Sequence, residues 1–488
     1  MLERNQTRTK IVATLGPASA TEARIRDMVR SGVDAFRLNM SHGSNEERRR
    51  WIRILYRLRR ELERPVAVFA DLRGPRLRLG RFPGPRRLKR GQILELRPVA
   101  EAAAAEPWLP VDYDGLGRDL EPGHRILLRD GRLELVVEEA GRRRIRARVR
   151  RGGEILSSQG VNLPDSRVSA PILGPKDLED IRFAAEAGLD YLALSFVRSA
   201  ADIAVLRAEM EACDYAAPVI AKIEHPEAVR NLDEILEAAD AVMVARGDLA
   251  VEMGHEVVPT VQKRIISRAI ERATPVITAT QMLETMIENS TPTRAEVSDV
   301  ANAVLDGSDA VMLSGETAVG AWPLQAVRTM HRIVQRTEAE LFRHSSRLPG
   351  FLFHREDEGP TTVEKALMDG AVEAARRCGA RLLLAFTESG RSAKLLSSFR
   401  SKRPLIGVTS DPRSFHRMAL YWGVRPALIG RFRSVHEMNR KAASLLGRVR
   451  WLKPDDLVVA FTGTFAVSGA TNTVRILTLS DLAEAARD

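Results

Sequence analysis

Lys222 and Glu224 lie two residues apart at the end of an apolar run, PVIAKIE (218–224). On a β-strand, residues i and i+2 point to the same face, so the ammonium and the carboxylate would lie side by side. A second carboxylate, Asp248, ends another apolar run, AVMVARGD (241–248). Two carboxylates can share a hard cation such as Mg²⁺, and a lysine beside them can present positive charge to a phosphate.

Other apolar runs also end in polar residues. Arg37 can bind a phosphate through two parallel hydrogen bonds. Gly247 and Asp248 lie where a helical pattern begins, and free backbone N–H groups at such a start bind carboxylate or phosphate. The remaining polar ends are Asn39, Ser41, Asp71, Arg246, Thr280, Ser314 and Glu316. The combination predicts phosphoryl transfer. The alternative is a Lys–x–Glu ion pair that only supports the fold.

Short β-branched runs alternate with amphipathic helical patterns along most of the chain. Eight such runs before residue 345 predict a parallel (β/α)₈ TIM barrel, whose active site lies at the C-terminal ends of the strands. Over 75–168, alternating segments rich in Gly, Pro and Arg predict an inserted antiparallel β domain. We therefore predict barrel residues at 1–74 and 169–345, the insertion at 75–168, and an open-sheet α/β domain at 346–488.

The composition is basic, with 75 Lys and Arg against 64 Asp and Glu and a formal net charge of +11. The densest basic run, GRRRIRARVRRGG (141–153), alternates arginine with apolar residues, and no aromatic residues are interleaved to stack on bases. We therefore favour a general arginine bias over nucleic-acid binding. An anionic small substrate suits the same charge.

The apolar runs, the first residues and the cysteine content bear on the cellular compartment of the protein. No apolar run approaches the roughly 18 residues that a membrane-spanning helix needs. The first residues lack the pattern of a signal peptide. Cys213 and Cys378 are the two cysteines of the sequence, which fits a reducing environment. These features predict a cytoplasmic protein with no membrane partner.

Several long segments carry a family resemblance: RTKIVATLGPAS, RLNMSHG, AKIEHPEAVRNLDEIL, VMVARGDLAVE, TATQMLETMI, PTRAEVSDVANAVLDGSDAVMLSGETA and SGRSA. In these segments the chain resembles pyruvate kinases. The resemblance implies a barrel, a β-barrel domain inserted after the third strand, and a C-terminal α/β regulatory domain. It also implies phosphoryl transfer from phosphoenolpyruvate to ADP, which gives pyruvate and ATP.

The resemblance assigns roles at the strand ends. Glu224 and Asp248 would hold Mg²⁺, with Mn²⁺ as the alternative ion. Lys222 would stabilise the transferring phosphoryl group and the enolate oxygen, where charge develops in the transition state. Arg37 would grip the phosphate.

Further positions follow by the same resemblance. The backbone of Gly247 and Asp248 would hold the substrate carboxylate. Thr280 would line the face of the enolate where the proton arrives, and either Thr280 or a water would donate it. Asn39 and Arg78 match positions that contact the nucleotide.

Potassium-dependent members hold a monovalent cation near the transferring phosphoryl group. Its ligands match Asn39, Ser41, Asp71 and the backbone at Leu72. Leu72 stands where many members have Thr, and Arg76 stands where potassium-dependent members carry Glu. Because a guanidinium can supply the cation's positive charge and repel a bound cation, we expect that K⁺ is not required. In addition, Ser199 replaces a Lys that touches nucleotide in some members, and Ala250 replaces a Gly.

The segment TESGRSA (387–393) precedes a helical pattern in the C-terminal part. Its hydroxyls and backbone N–H groups can hold a phosphate, and an ordinary capped helix start is the alternative. In regulated members the corresponding loop binds a sugar phosphate. The resemblance therefore predicts a sugar-phosphate or AMP effector, and it also implies a homotetramer. The loop residues are Thr387, Ser389, Gly390, Arg391 and Ser392.

Two aldolase classes are the competing enzyme hypotheses. Metal-dependent aldolases that bind phosphoenolpyruvate or pyruvate share the barrel and an acidic metal pair, but they lack the insertion and the C-terminal domain. A Schiff-base aldolase built on Lys222 would leave the adjacent carboxylate pair unexplained.

Overall fold

The computed structural model describes residues 7–100, 102, 106–344, 362–463 and 471–484. The chain begins with strands and helices in alternation: β1 (Lys10–Leu15), α1 (Glu22–Arg30), β2 (Ala35–Asn39), α2 (Asn45–Leu62) and β3 (Ala67–Asp71). The start of α2 is set by a capping box, in which Ser44 and Glu47 each accept a hydrogen bond from the other's backbone N–H.

An insertion separates β3 from the next barrel strand. Its elements are β4 (Arg86–Leu88), β5 (Ile93–Arg97), β6 (Leu109–Pro110), α3 (Leu116–Asp119), β7 (Arg125–Leu128), β8 (Leu133–Gly141), β9 (Arg144–Arg151), β10 (Gly153–Ile155) and β11 (Val161–Asn162). One mostly antiparallel sheet has the order β11-β7-β8-β9-β5-β6, and β10 pairs with β4. The apolar side chains that alternate along these strands form a core of their own.

The arginines of β9 pair with carboxylates on neighbouring strands. The ion pairs are Arg144–Glu95, Arg146–Glu139, Arg148–Glu138 and Arg151–Glu134. Ile145, Ala147 and Val149, which alternate with these arginines, are buried. The densest basic run of the sequence is therefore the outer face of a charge-paired strand.

The chain then completes the barrel. The elements are α4 (Pro175–Ala187), β12 (Tyr191–Leu194), α5 (Ala200–Glu211), β13 (Val219–Ile223), α6 (Pro226–Arg230), α7 (Leu232–Ala238), β14 (Ala241–Ala245), α8 (Arg246–Met253), α9 (Val258–Glu271), β15 (Val276–Ala279), a 3₁₀ turn (Glu284–Ile287), α10 (Arg294–Leu305), β16 (Ala310–Leu313), α11 (Gly315–Ala318) and α12 (Pro323–His344). Eight parallel strands close in the order β1-β16-β15-β14-β13-β12-β3-β2, which confirms the predicted (β/α)₈ barrel.

Side-chain alternation along the barrel strands builds two apolar layers. Val12, Phe69, Ile220 and Met243 belong to the cluster that fills the barrel interior. The opposite faces of the strands pack beneath the surrounding helices. A packed interior leaves the polar residues at the strand ends as the place where chemistry can occur.

The C-terminal part forms a second α/β unit. Its elements are α13 (Val363–Arg377), β17 (Leu382–Phe386), α14 (Arg391–Ser398), β18 (Leu405–Thr409), α15 (Pro412–Arg417), a 3₁₀ turn (Met418–Leu420), β19 (Val424–Leu428), α16 (Val435–Leu446), β20 (Leu457–Gly463), β21 (Thr471–Thr478) and α17 (Leu479–Glu484). The sheet is open, with the order β19-β18-β17-β20-β21. The predicted boundary between 345 and 346 lies outside the described residues.

Buried polar contacts join this unit to the barrel. The guanidinium of Arg400 makes two hydrogen bonds to the carboxylate of Asp309, at 2.8 and 2.9 Å. The Tyr191 hydroxyl donates to the Arg417 carbonyl at 2.8 Å. Each of these hydrogen bonds joins a residue of the barrel to a residue of the C-terminal unit. The two units therefore share a buried polar interface. No helix within the described ranges is both long and apolar enough to cross a bilayer.

His416 of α15 lies in the same interface. Its Nδ1 accepts a hydrogen bond from the backbone N–H of Val66 at 3.3 Å. Burial, with a smaller contribution from the charge of Arg59, lowers the pKa of His416 to about 3. The folded protein therefore keeps this imidazole neutral under conditions in which an unfolded chain protonates it.

We predict that His416 makes the folded state less stable as the pH falls. The unfolded side chain takes up a proton below about pH 6.5, so its contribution is complete above that pH and is lost progressively below it. Between pH 6.5 and pH 5 this amounts to about 2 kcal/mol of unfolding free energy. In urea unfolding, His416→Asn, whose side-chain oxygen can still accept from Val66, should lose less stability over this range than the unsubstituted protein.

The matched control is His255→Asn, which changes an exposed histidine. It should keep the pH dependence of the unsubstituted protein. Equal pH dependence for His416→Asn and the unsubstituted protein would show that His416 does not carry the effect.

Candidate active site

Lys222 lies at the C-terminal mouth of the barrel, buried among oxygen atoms from neighbouring strands. Its Nζ donates to the Ser195 hydroxyl at 2.7 Å and lies 2.9 Å from Glu224 Oε1 and 3.2 Å from Asp71 Oδ1. Burial acts to lower the pKa of Lys222, but the charges of Asp71 and Glu224 outweigh it, so that its pKa is raised. The ammonium is therefore held in its charged form in a water-poor site.

Asp71 joins the two cations of the site. Its Oδ2 accepts from Arg37 Nε at 2.6 Å, while its Oδ1 faces Lys222. Burial acts to raise the pKa of Asp71, but Lys222 and Arg37 more than offset it and the pKa is lowered. The family resemblance places Asp71 among the ligands of a monovalent cation. In this structure its carboxylate orients the side chains of Arg37 and Lys222.

Glu224 is fully buried beside Lys222. Its Oε2 accepts from the backbone N–H of Phe196 at 2.7 Å. Its Oε1 has the ammonium nearby but has no hydrogen-bond partner of good geometry in the described part of the chain. Burial raises the pKa of Glu224, Lys222 opposes this, and the charge of Asp248 raises the pKa further.

The two carboxylates fit a divalent cation. Glu224 Oε1 has no hydrogen-bond partner of good geometry among the described residues, and Asp248 is close enough to disfavour the negative charge of Glu224. No cluster of three or more His, Cys, Asp or Glu side chains suited to a metal occurs among the described residues. A pair of carboxylates suits Mg²⁺, which fills its remaining positions with water and substrate phosphate oxygens.

α8 begins at Arg246, directly after β14. The Gly247 N–H, which the sequence predicts as a free donor for substrate, here donates to the Thr280 hydroxyl at 2.8 Å. Arg246 fixes the loop after β15, since its Nη2 donates to the Thr280 carbonyl at 2.6 Å and its Nη1 bonds to Asp299 at 2.8 Å. Thr280 has φ 66°. This is a left-handed conformation that residues other than glycine rarely adopt and that recurs at functional sites.

The predicted monovalent-cation residues lie beside this centre. Asn39 Oδ1 accepts from the Ser41 N–H at 3.1 Å. Leu72 is buried, and its carbonyl accepts from the Ser195 hydroxyl at 2.7 Å. Thus a side-chain amide and a backbone carbonyl that could face a cation already have partners within the protein.

Arg76 and Arg78 lie on the segment that leads from β3 into the insertion. Arg76 Nη2 is 3.9 Å from Asp248 Oδ1, so its charge reaches the carboxylate pair. Arg78 Nη1 donates to the Ser158 carbonyl at 2.8 Å, across to the segment between β10 and β11. Arg76 therefore points into the mouth, whereas Arg78 contacts the insertion.

Ser314 and Glu316 follow β16. Glu316 is fully buried and accepts from the backbone N–H groups of Leu283 and Ser314, at 3.0 and 2.7 Å. Its carboxylate therefore stabilises the loop backbone.

Ser195 and Phe196 are site residues that sequence reasoning missed. Ser195 bonds to Lys222, and Phe196, with φ 56°, turns its N–H toward Glu224. The available signal was the polar residue that directly follows the apolar run YLAL (191–194). The left-handed conformation of a phenylalanine has no sequence signal.

The loop at 387–392 lies in the C-terminal unit, before α14. Gly390 has φ 85° and precedes the first helical residue, Arg391. Arg391 pairs with Glu364 of α13 at 2.8 Å, and Ser392 is buried. The loop is therefore a helix start in the C-terminal unit, and its arginine pairs with α13 of the same unit.

Two family models and several known proteins are similar to the chain over most of its length. A family model for the pyruvate kinase barrel domain matches residues 6–327, and one for the pyruvate kinase α/β domain matches residues 365–477. A pyruvate kinase of Corynebacterium efficiens is 43% identical, over 97% of this chain and 98% of its own length. One of Mycobacterium tuberculosis is 41% identical, over 96% and 98%.

A solved structure agrees with these matches. The crystal structure of a pyruvate kinase from Cryptosporidium parvum has a TM-score of 0.88 and 33% sequence identity, and the match covers 97% of this chain and 96% of the other. Similarity of this extent includes the barrel, the insertion and the C-terminal unit. The chain therefore belongs to the pyruvate kinase family.

Proposed function

We propose that this chain transfers the phosphoryl group of phosphoenolpyruvate to ADP and releases pyruvate and ATP. The observation that carries the proposal is the buried Lys222 ammonium, held by Asp71 and Glu224 next to Arg37. Family membership supports the same reaction. A coupled assay that reports pyruvate from phosphoenolpyruvate and ADP tests it directly, and neither aldolase alternative would give ATP.

Family membership implies a divalent metal, and the carboxylates fit one. We propose that Glu224 and Asp248 hold Mg²⁺, or Mn²⁺ in its place. Such an ion, when bound, supplies positive charge to phosphate and enolate oxygens. The Phe196 N–H orients Glu224 for this role by binding its other oxygen.

The side chains of the mouth supply the rest of the chemistry. Arg37, oriented by Asp71, binds the phosphate of the substrate. Lys222 places its charge where negative charge develops on the transferring phosphoryl group and on the enolate oxygen. The first turn of α8, with Gly247 and Asp248, binds the substrate carboxylate once the Gly247 N–H leaves the Thr280 hydroxyl.

Proton transfer and nucleotide binding complete the proposal. Thr280 lies at the mouth where a hydroxyl, or a water that it holds, can protonate the enolate. Asn39 and Arg78 bind the nucleotide between the barrel and the insertion, as the resemblance implies. The homotetramer and the cytoplasmic location remain predictions from the resemblance and from the cysteine content.

Lys222→Met should lower kcat by about 10³-fold or more, because it removes a charge that stabilises the transition state. Binding of phosphoenolpyruvate and Mg²⁺, measured by fluorescence titration, should change much less. Lys263→Met, which removes a half-exposed lysine that pairs with the carboxylate of Asp306, is the matched control and should keep full turnover. Near-normal turnover of Lys222→Met would refute the assigned role.

We propose that the enzyme does not require K⁺. Two observations support this: the Arg76 guanidinium points toward Asp248, and both carboxylate oxygens of Asp71 already face cationic side chains. Turnover at saturating Mg²⁺ with tetramethylammonium as the monovalent cation should therefore match turnover in KCl. A loss of more than about tenfold without K⁺, or about 1.4 kcal/mol, would contradict the proposal.

The converse variant sharpens the test. Arg76→Glu should be severely impaired in tetramethylammonium and at least partly rescued by K⁺. Arg87→Glu makes the same charge change at an exposed position of β4 and should remain independent of K⁺.

We propose that a sugar phosphate or AMP binds the loop formed by Thr387, Ser389, Gly390, Arg391 and Ser392. The start of α14 offers backbone N–H groups, and Arg391 offers a positive charge. Addition of the effector should lower the half-saturating phosphoenolpyruvate concentration by about fivefold or more. Arg391→Ala should weaken this response, whereas Arg376→Ala, at an exposed site on α13, should keep it. A saturation curve unmoved by a panel of sugar mono- and bisphosphates and AMP would refute the proposal.

A further inference from the structure

α8 carries two carboxylates on one face. Asp248 and Glu252 are one helical turn apart, so their side chains project from the same side of the helix. Asp248 lies at the barrel mouth, whereas Glu252 is buried, with 4% of its surface exposed. Burial of a carboxylate is costly unless hydrogen bonds or charges compensate it. The reaction proposed above uses Asp248 and gives no reason for Glu252.

Both segments that connect the insertion to the barrel touch this face of α8. On the outgoing segment, Arg76 lies 3.9 Å from Asp248. On the returning segment, Asn162 of β11 donates from Nδ2 to Glu252 Oε1 at 2.6 Å. The same helix face therefore meets the insertion where it leaves the barrel and where it comes back.

The turn between β7 and β8 passes close to α8. A side-chain carbon built on Gly131 would lie 3.6 Å from Val251 Cγ1, which is ordinary van der Waals distance. The insertion therefore approaches the C-terminal half of α8, and the Asn162–Glu252 hydrogen bond joins the two there.

Little else compensates the Glu252 carboxylate. Its Oε2 has no hydrogen-bond partner within the described ranges, and His225 Nε2 lies 3.8 Å away. Burial raises the pKa of Glu252 to about 7, and the hydrogen bond from Asn162 acts in the opposite direction. A cavity of about 520 Å³, whose walls include Arg125 and Arg230, adjoins the carboxylate. Asn162 is thus its main specific partner.

We propose that Glu252 is a positioning residue that couples the inserted unit to the substrate-binding end of α8. Its hydrogen bond to Asn162 holds the insertion on the helix and thereby holds Arg76 near Asp248. The first turn of α8 is anchored by Arg246 to the Thr280 carbonyl, so a change at the last turn tilts a helix of eight residues about that anchor. The inference rests on the proposed function, because kcat/KM for phosphoenolpyruvate and ADP is its readout.

A double-mutant cycle tests the coupling. Glu252→Ala and Asn162→Ala should each lower kcat/KM for phosphoenolpyruvate by about tenfold, because either change releases the insertion from α8. The double variant should lose about tenfold as well, not a hundredfold, since both single changes remove the same interaction. Independent losses that multiply in the double variant would overturn the proposal.

A donor–acceptor exchange gives a second test that preserves side-chain size. Asn162→Asp alone places two carboxyl groups against each other and should lower kcat/KM as strongly as Asn162→Ala. In combination with Glu252→Gln, which supplies an amide donor from the other side, activity should return to within about threefold of the unsubstituted enzyme. Absence of rescue in a folded double variant would overturn the proposal even if Glu252→Ala does not fold.

The matched control is Arg167→Ala. This change removes a contact of 3.6 Å between the largely exposed Arg167 side chain and Glu227, across the same cavity. Because exposed ion pairs contribute little, kcat/KM should stay within about twofold of the unsubstituted enzyme. A wild-type chain with no pyruvate kinase activity would refute the proposed function. An active wild type whose Asn162→Ala and Glu252→Ala variants are equally active would refute only the coupling.

Discussion

The burial of the Lys222 ammonium between two carboxylates is the constraint on which the active site depends. A charge at this depth is tolerated only with close opposite charges and hydrogen bonds. Asp71, Ser195 and Glu224 meet these needs, and they come from the ends of β3, β12 and β13, which are neighbours in the barrel. The closed sheet thus fixes the spacing of four groups that no single segment could hold together.

Two unusual backbone conformations also orient the polar groups of the active site. Phe196 and Thr280 both have left-handed backbone conformations, and each directs a polar group to a neighbour in the site. Such conformations cost free energy and persist where the surrounding structure holds them. Around Thr280 the anchor is Arg246, which binds the carbonyl oxygen of the residue. Precision at the mouth therefore depends on loops whose conformations are held by charged side chains that follow adjacent strands.

Much of this arrangement was predictable, because strand periodicity and barrel topology are local patterns. The polar ends of apolar runs indicated Lys222, Glu224 and Asp248, and β-α alternation indicated the barrel and the open C-terminal sheet. The use of Asp71 as a bridge between cations was not predictable, since it depends on which strands become neighbours. The engagement of the Gly247 N–H by Thr280 also depends on a backbone angle that residue types do not reveal.

The insertion between β3 and β12 has a consequence for how the barrel assembles. Asp71 and Ala193 are register partners in adjacent strands, yet more than a hundred residues separate them along the chain. Loop-closure entropy grows only by about 0.6 kcal/mol for each doubling of loop length, so the long detour adds little cost to closing this seam. The insertion affects the folding rate more than it affects stability, because contacts between residues that are distant in sequence slow folding. The insertion's own apolar core shortens the effective detour once it forms, so early folding of this unit would bring β3 and β12 together.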